Sequence, residues 1–135
     1  MQGKHLYEYA IIRVVPCVER EEFINVGVIV YCRKPAFLQT RFIVSYNRLE
    51  ALSPTIDLNE IAAHLYVFEQ IAAGNSIAGT IAALDMASRF RWLTAKRSTI
   101  VQTSPVHPGL CSDLGNTLQH LFEKQVLTIS VIGDK

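Results

Sequence analysis

The chain has 135 residues, of which 50% are hydrophobic and 19% are charged, and its formal net charge is +1. This length and composition are typical of one globular domain and exclude an intrinsically disordered chain. The balanced charge provides no global field for nucleic acid or an acidic membrane. No apolar run reaches the length needed to cross a bilayer, and the first ten residues lack the apolar core of a signal peptide. We therefore expect no membrane association, and we expect nucleic acid to be disfavoured as a partner.

The first third of the chain predicts three antiparallel strands. Residues 7–15 alternate as a strand, and Pro16 ends it. Residues 26–32 are rich in β-branched side chains and apolar on both faces, which favours a central strand. A short turn at residues 33–36 joins this strand to a third one over residues 37–46, in a hairpin.

The following part of the chain predicts helices. Residues 47–52 indicate a short helix. Asp57, with Glu60 three positions later, is typical of a helix N-terminus, and Gly74 is suited to end that helix. A further helix is predicted over residues 78–90.

The last part of the chain returns to a strand and then to a helix. Residues 98–103 predict a fourth strand, and residues 104–109 are rich in Pro and Gly and predict a loop. Ser112 or Asp113 can cap a final helix. Residues 126–132 predict an edge strand or a docked tail.

Together these elements predict one α+β domain over residues 1–135, with a largely antiparallel sheet of about four strands and helices packed on one face. The three cysteines are Cys17, Cys32 and Cys111, and they are unclustered. This pattern suits reduced thiols, so we predict a cytoplasmic protein. A homodimer is left open.

A charged cluster lies between the first two strands. Arg13 is placed in the middle of an apolar strand, where an unpaired charge is costly, so we expect a carboxylate partner or a ligand. Glu21 and Glu22 are the nearest carboxylates along the chain. The cluster is therefore a structural ion pair, or a site in which Arg13 and Arg20 bind an anion and a glutamate acts as acid or base.

Asn25 and Gly27 stand immediately before the most apolar run. Asn hydrogen-bonds its own backbone readily, and Gly within a strand often marks a bulge or a close approach of two backbones. We therefore predict that both residues, and the cap residue Asp113, have structural roles.

A second cluster combines cations with aromatic rings. Its four cations fall within nine residues: Arg89, Arg91, Lys96 and Arg97. Phe90 and Trp92 alternate with them, so the cluster could bind phosphate or stack a base. The alternative is a solvated helix end whose cations complement the helix dipole.

His107 and Cys111 are four residues apart and are followed by Asp113. A His and a Cys could contribute to a zinc site, but the remaining cysteines lack paired-ligand spacing, so we predict no metal and no cofactor. His107 is instead retained as a candidate acid or base.

Two segments resemble a bacterial family known only as a domain of unknown function. The segment YEYAIIRVVPCVEREEFINVGVIVYC, residues 7–32, has the family form Y-x-Y-A-x-x-R-x-V-P followed by R-E-E-F-x-N-V-G-V. The second segment, RFRWLTAKRSTIVQTSPVHPGLCSD, covers residues 89–113. The resemblance implies a small bacterial protein often encoded beside a HipA-like kinase, as in toxin–antitoxin modules, and it supplies no catalytic residues.

Three functions follow as hypotheses. The first is a non-enzymatic partner or regulator of a HipA-like kinase. The second is a small enzyme acting on a phosphate-containing substrate, which requires the two clusters to meet in one cleft. The third is a nucleotide-binding or single-stranded nucleic-acid-binding module that uses Arg91, Trp92 and Arg97.

Overall fold

The computed structural model describes residues 4–127, and within them the strands form one five-stranded antiparallel sheet. The strands are β1 (His5–Val14), β2 (Ile24–Cys32), β3 (Phe37–Phe42), β4 (Val101–Thr103) and β5 (His107–Cys111). The sheet order is β3-β2-β1-β4, and β5 pairs with β1 beside β4. The predicted α+β class, the antiparallel sheet and the interior position of β2 are confirmed.

The helices are α1 (Tyr46–Leu52), α2 (Leu58–Ala73), α3 (Met86–Thr94) and α4 (Leu114–Gln125), with short 3₁₀ turns at Val18–Arg20, Ser76–Ala78 and Ile81–Ala83. The carboxylate of Asp57 accepts a hydrogen bond from the Glu60 backbone N–H at 3.1 Å and so caps α2. Gly74 ends α2 at a φ of 73°, a left-handed conformation that suits glycine. Asp113 caps α4 in the same way as Asp57 caps α2, through the Asn116 N–H at 3.0 Å.

Several predicted boundaries need correction. The strand predicted over residues 37–46 ends at Phe42, and the strand predicted over residues 98–103 begins only at Val101. The helix predicted over residues 78–90 begins only at Met86, because Gly79 at a φ of 91° separates it from α2 through two 3₁₀ turns. The predicted loop at 104–109 is irregular only at 104–106, and the rest belongs to β5, an edge strand in which proline is tolerated. Of the predicted segment 126–132, Val126 is the C-cap of α4 and residues 128–132 lie outside the described residues.

Helices cover both faces of the sheet, which corrects the expectation that they pack on one face. The first face, which includes Ile29 and Tyr31 of β2, packs against α1, α2 and α3. The Tyr31 ring stacks on Phe90 of α3 with centroids 5.1 Å apart. The second face, which includes Val28 and Val30 of β2, packs against α4. The cause is the sequence of β2, which is apolar at both alternations and needs cover on both sides.

Ser104 completes the hydrogen bonding of β1 where β4 ends. Its backbone N–H donates to the Ile11 carbonyl, and its hydroxyl accepts the Ile11 N–H, both at 2.8 Å. The side chain thus replaces one strand bond at a buried position, so that β4 and β5 can follow each other along one edge of β1.

A β-bulge at Val26–Gly27 determines which side chains of β2 face each side of the sheet. Ile12 pairs with Gly27 and Arg13 pairs with Asn25, so Val26 has no partner on β1. On the other side, a Cβ atom on Gly27 would lie 2.5 Å from both the Arg41 carbonyl oxygen and the Phe42 Cβ. Only glycine fits this close approach of β2 and β3.

We therefore predict that Gly27→Ala lowers the free energy of unfolding by about 1–3 kcal/mol, because backbone and Cβ atoms cannot move aside cheaply. Urea denaturation measures the change. Gly115→Ala is the matched control, because its Cβ would meet nothing closer than 3.7 Å and alanine favours the helix. Equal effects of the two substitutions would contradict the close approach at Gly27.

Candidate functional site

The Arg13 side chain has no carboxylate partner among the described residues, which makes the predicted pairing with Glu21 or Glu22 wrong. Its guanidinium carbon lies 4.0 Å from the centroid of the Phe23 ring, a cation–π contact. Its Nε atom is buried and has no hydrogen-bond partner. Burial lowers the pKa of Arg13, because desolvation penalises the charged form.

The local backbone explains the different pairing. Glu21 closes the 3₁₀ turn at Val18–Arg20 in a left-handed conformation with a φ of 58°. After that turn Glu22 pairs with Arg20, whose Nε donates to the carboxylate at 2.8 Å. This hydrogen bond holds the pKa of Glu22 below its ordinary value. The pair is exposed to solvent.

Asn25 lies opposite Arg13 on β2 and ties the sheet to α4. Its Nδ2 donates to the Gln125 carbonyl oxygen at 3.2 Å, at the end of α4. Gln125 is the last residue of α4, and the carbonyl groups at a helix C-terminus need acceptor partners outside the regular helix, so the Asn25 amide serves this helix end. The contact links β2 to the end of α4.

The cations of α3 point to different places. Arg91 pairs with Glu8 of β1 at 2.8 Å. Arg89 is buried, and its guanidinium packs so closely on Gly74 that a Cβ there would lie 2.3 Å from Nη1. Two of the cations predicted to bind phosphate together thus contact different elements, Arg91 the sheet and Arg89 the end of α2.

His107 lies on β5, opposite Tyr9, and the two rings have centroids 5.4 Å apart. Arg13 is four residues from Tyr9 along β1, which corresponds to about 13 Å in a strand. Within residues 4–127, no hydrogen bond or ion pair joins Arg13, Glu22 or His107 to Arg97. Among these same residues, no three His, Cys, Asp or Glu side chains are grouped so that they could hold a metal ion.

An apolar groove with a volume of about 700 Å³ lies between α2, α3 and β4. We call it the α2–α3 groove, and it is lined by Ala63, His64, Val67, Phe68, Ile71, Trp92, Leu93, Ala95, Arg97, Thr99, Val101 and Gln102. Sequence reasoning identified Trp92 and Arg97 but not the α2 wall. The available signal was a second apolar row at Ala63, Val67 and Ile71, spaced four residues apart beside the core-facing row.

Arg97 fixes the rim of the groove. Its guanidinium carbon lies 4.2 Å from the centroid of Trp92, and its Nη2 donates to the Trp92 carbonyl oxygen. The indole, the chain's only tryptophan, is 38% exposed. A large apolar ring is thus held in one orientation, with a positive charge beside it.

Side chains, and not a free strand edge, form the β4 wall of the groove. The Val15 N–H donates to the Ile100 carbonyl, so alternation directs the Val101 carbonyl away from β1. That outward carbonyl accepts a hydrogen bond from the Thr99 hydroxyl at 2.7 Å. The chain itself therefore blocks pairing of a further strand at this point.

The fold and the groove define a small α+β domain with a preformed apolar cleft on one helical layer. The chain belongs to the family described as "Protein of unknown function (DUF3037)", whose model matches residues 9–126. Comparison with curated proteins gives no match, and neither does comparison with solved structures. In the described part of the chain, none of the helices has the length and apolar character needed to cross a bilayer.

We predict that a double-mutant cycle with Arg20→Gln and Glu22→Gln shows a small coupling in stability that decreases with added salt. The coupling is expected at neutral pH and is lost as the pH falls through the lowered pKa of Glu22, because only the carboxylate pairs with Arg20. Thermal and urea unfolding measure it. The matched cycle of Arg13→Gln with Glu22→Gln should show no coupling, and a coupling there would contradict the observed pairing.

Proposed function

We propose that this chain is a non-enzymatic partner or regulator of another protein, and that the partner is a HipA-like kinase. The observation that carries the proposal is the α2–α3 groove, with the exposed Trp92 at its rim. The identity of the partner rests on the resemblance of residues 7–32 and 89–113 to a family often encoded beside such kinases.

The groove has the composition of a protein-binding cleft. Its floor includes Phe68, Leu93 and Val101, which are buried. Its rim carries Val67 and Trp92, which remain 45% and 38% exposed. A tryptophan beside an apolar cleft is the kind of residue on which binding energy concentrates in protein interfaces.

The walls of the groove are fixed before any partner binds. Ile61 and Leu65 anchor α2 on the sheet, and Phe90 anchors α3, each with at most 2% of its surface exposed. Binding then costs little ordering of the receptor, which favours affinity. Because Thr99 blocks strand pairing at β4, we assign the groove to an amphipathic helix of the kinase that inserts apolar side chains.

The contacts of the cations support a binding module over a phosphate-processing enzyme. Arg20 pairs with Glu22, Arg91 pairs with Glu8, and Arg97 stacks on Trp92. A phosphate clamp needs several donors converging on one position. In this fold the candidate donors are directed to separate partners.

We predict that Trp92→Ala abolishes recovery of the kinase when the tagged full chain is purified from its native host, because the substitution removes the largest apolar side chain of the rim. Mass spectrometry of the co-purified proteins is the readout. Ile77→Ala is the matched control, since Ile77 is 70% exposed and outside the groove. Absence of the kinase from the wild-type preparation, with both proteins expressed, would refute the proposed partner. Retention of the kinase by Trp92→Ala would refute the groove as its binding site.

A nucleotide is the second candidate occupant, favoured by the specific combination of Trp92 and Arg97 at the rim. The volume of about 700 Å³ lies in the range of ligand pockets, roughly 300–1,000 Å³. A base could stack near the indole while Arg97 contacts a phosphate.

If a nucleotide binds there, ATP or GTP should quench the emission of Trp92, the sole tryptophan, in a saturable manner. Arg97→Gln should weaken this binding about tenfold or more, because it removes the charge that contacts phosphate. Lys34→Gln, which alters an exposed cation outside the groove, is the control. A linear, unsaturable response with the wild-type chain would exclude a nucleotide as the ligand of the groove.

A further inference from the structure

The first face of the sheet extends beyond its helical cover at one end. Ala10 and Ile12 of β1 are fully buried under the helices. Leu6 has the same alternation on β1, and no bulge intervenes, so it lies on the same face. It is nevertheless 68% exposed. The helical layer therefore ends before the sheet does.

A second exposed leucine lies directly opposite. Leu110 of β5 is the cross-strand partner of Leu6, and it is 67% exposed. Directly opposed residues of an antiparallel pair share one face. The two leucines thus form a contiguous apolar area, and they rank with Ile77 as the most exposed large hydrophobic side chains of the described residues.

Charges of both signs lie beside Leu6 in this area. A cavity of about 500 Å³ beside Leu6 is lined by two carboxylates and two guanidinium groups, together with Tyr31 and Ala87. The charged residues are Glu8, Arg33, Asp85 and Arg91. We call these residues, together with Leu6 and Leu110, the sheet-end patch.

Two of the four charges are available to a partner. Glu8 and Arg91 pair with each other at 2.8 Å. Arg33 and Asp85 form no ion pair with the described residues. Asp85 occupies the N-cap position of α3, yet its side chain makes no capping hydrogen bond. One unpaired cation and one unpaired anion therefore border the same apolar area.

The unpaired cation and anion allow the sheet-end patch of one copy to complement the same patch of a second copy. A nucleic acid or an acidic membrane would require charge of one sign, whereas a two-fold axis places the cation of one copy against the anion of the other, twice. We propose that a second copy of this chain binds the sheet-end patch in a two-fold dimer, with Leu6 and Leu110 at its centre and Arg33 of each copy paired with Asp85 of the other. The dimer is independent of the α2–α3 groove and of its proposed partner.

Side-chain packing, and not sheet extension, holds this dimer together. β5 is an edge strand, but Pro108, its second residue, lacks the N–H that a neighbouring strand would need. Apolar contact at the two leucines supplies the association, and the reciprocal ion pairs fix its orientation.

The first test is sedimentation equilibrium of the full chain over a range of concentrations. The wild-type chain should be dimeric, and Leu6→Glu and Leu110→Glu should be monomeric at the same concentrations. Ile77→Glu, equally exposed but outside the patch, should remain dimeric. Circular dichroism establishes that each variant is folded. A monomeric wild-type chain, or dimers of all three variants, would overturn the proposal.

The second test separates the proposed pairing from apolar association alone. Arg33→Asp and Asp85→Arg should each weaken the dimer by roughly tenfold or more, because like charges then face each other. An equimolar mixture of the two single variants should recover dimerisation, since both ion pairs reform between unlike chains. The double variant should recover it as well. Failure of the mixture to associate, with folded single variants, would overturn the pairing of Arg33 with Asp85.

Discussion

Two apolar faces on one pair of strands cannot be covered by a single helical layer, and this constraint organises the fold. β1 and β2 form the interior of the sheet, and most of their apolar side chains are buried, on both of its faces. Helices α1 to α3 therefore occupy one face and α4 the other. The other elements are positioned relative to β1 and β2, because burying apolar side chains on both faces of these strands makes a large hydrophobic contribution to stability.

The two surfaces proposed for binding arise from how the first helical layer fits the sheet. α2 and α3 share the buried core but separate beside β4, and the space between them is the α2–α3 groove. At the opposite end of β1 the layer stops short, which leaves Leu6 and Leu110 uncovered. The first helical layer thus leaves a cleft beside β4 and an open apolar area at Leu6 and Leu110.

Local patterns predicted much of the fold. The β2–β3 hairpin, the caps at Asp57 and Asp113 and the helix end at Gly74 depend on neighbours a few residues away, which a sequence displays directly. The extent of β5 depended on pairing with β1, almost a hundred residues distant. Likewise, the fourth helix lies on the second face because β2 is apolar on both sides, a pattern that the sequence of β2 displays.

The candidate site was harder to predict from the sequence than the fold, because it depends on contacts between distant segments. Proximity along the chain suggested a carboxylate for Arg13, but the structure places its guanidinium over the Phe23 ring and leaves its buried Nε without a hydrogen-bond partner. The α2–α3 groove was invisible as a whole because its walls come from three separate segments. Trp92 and Arg97 could be recognised individually, yet their joint geometry depends on the backbone after α3.

The bulge at Val26–Gly27 also limits how the chain can change in length. It shifts the alternation of β2 by one position, so that Val26 joins the first face while Asn25 reaches the end of α4 on the second. Losing or gaining one residue between Ile24 and Gly27 would move the side chains before the bulge to the opposite faces of the sheet. The polar amide of Asn25 would then point into the core of the first face. Gly27 thus fixes the residue type at one position of the bulge, and the alternation of β2 fixes the number of residues around it.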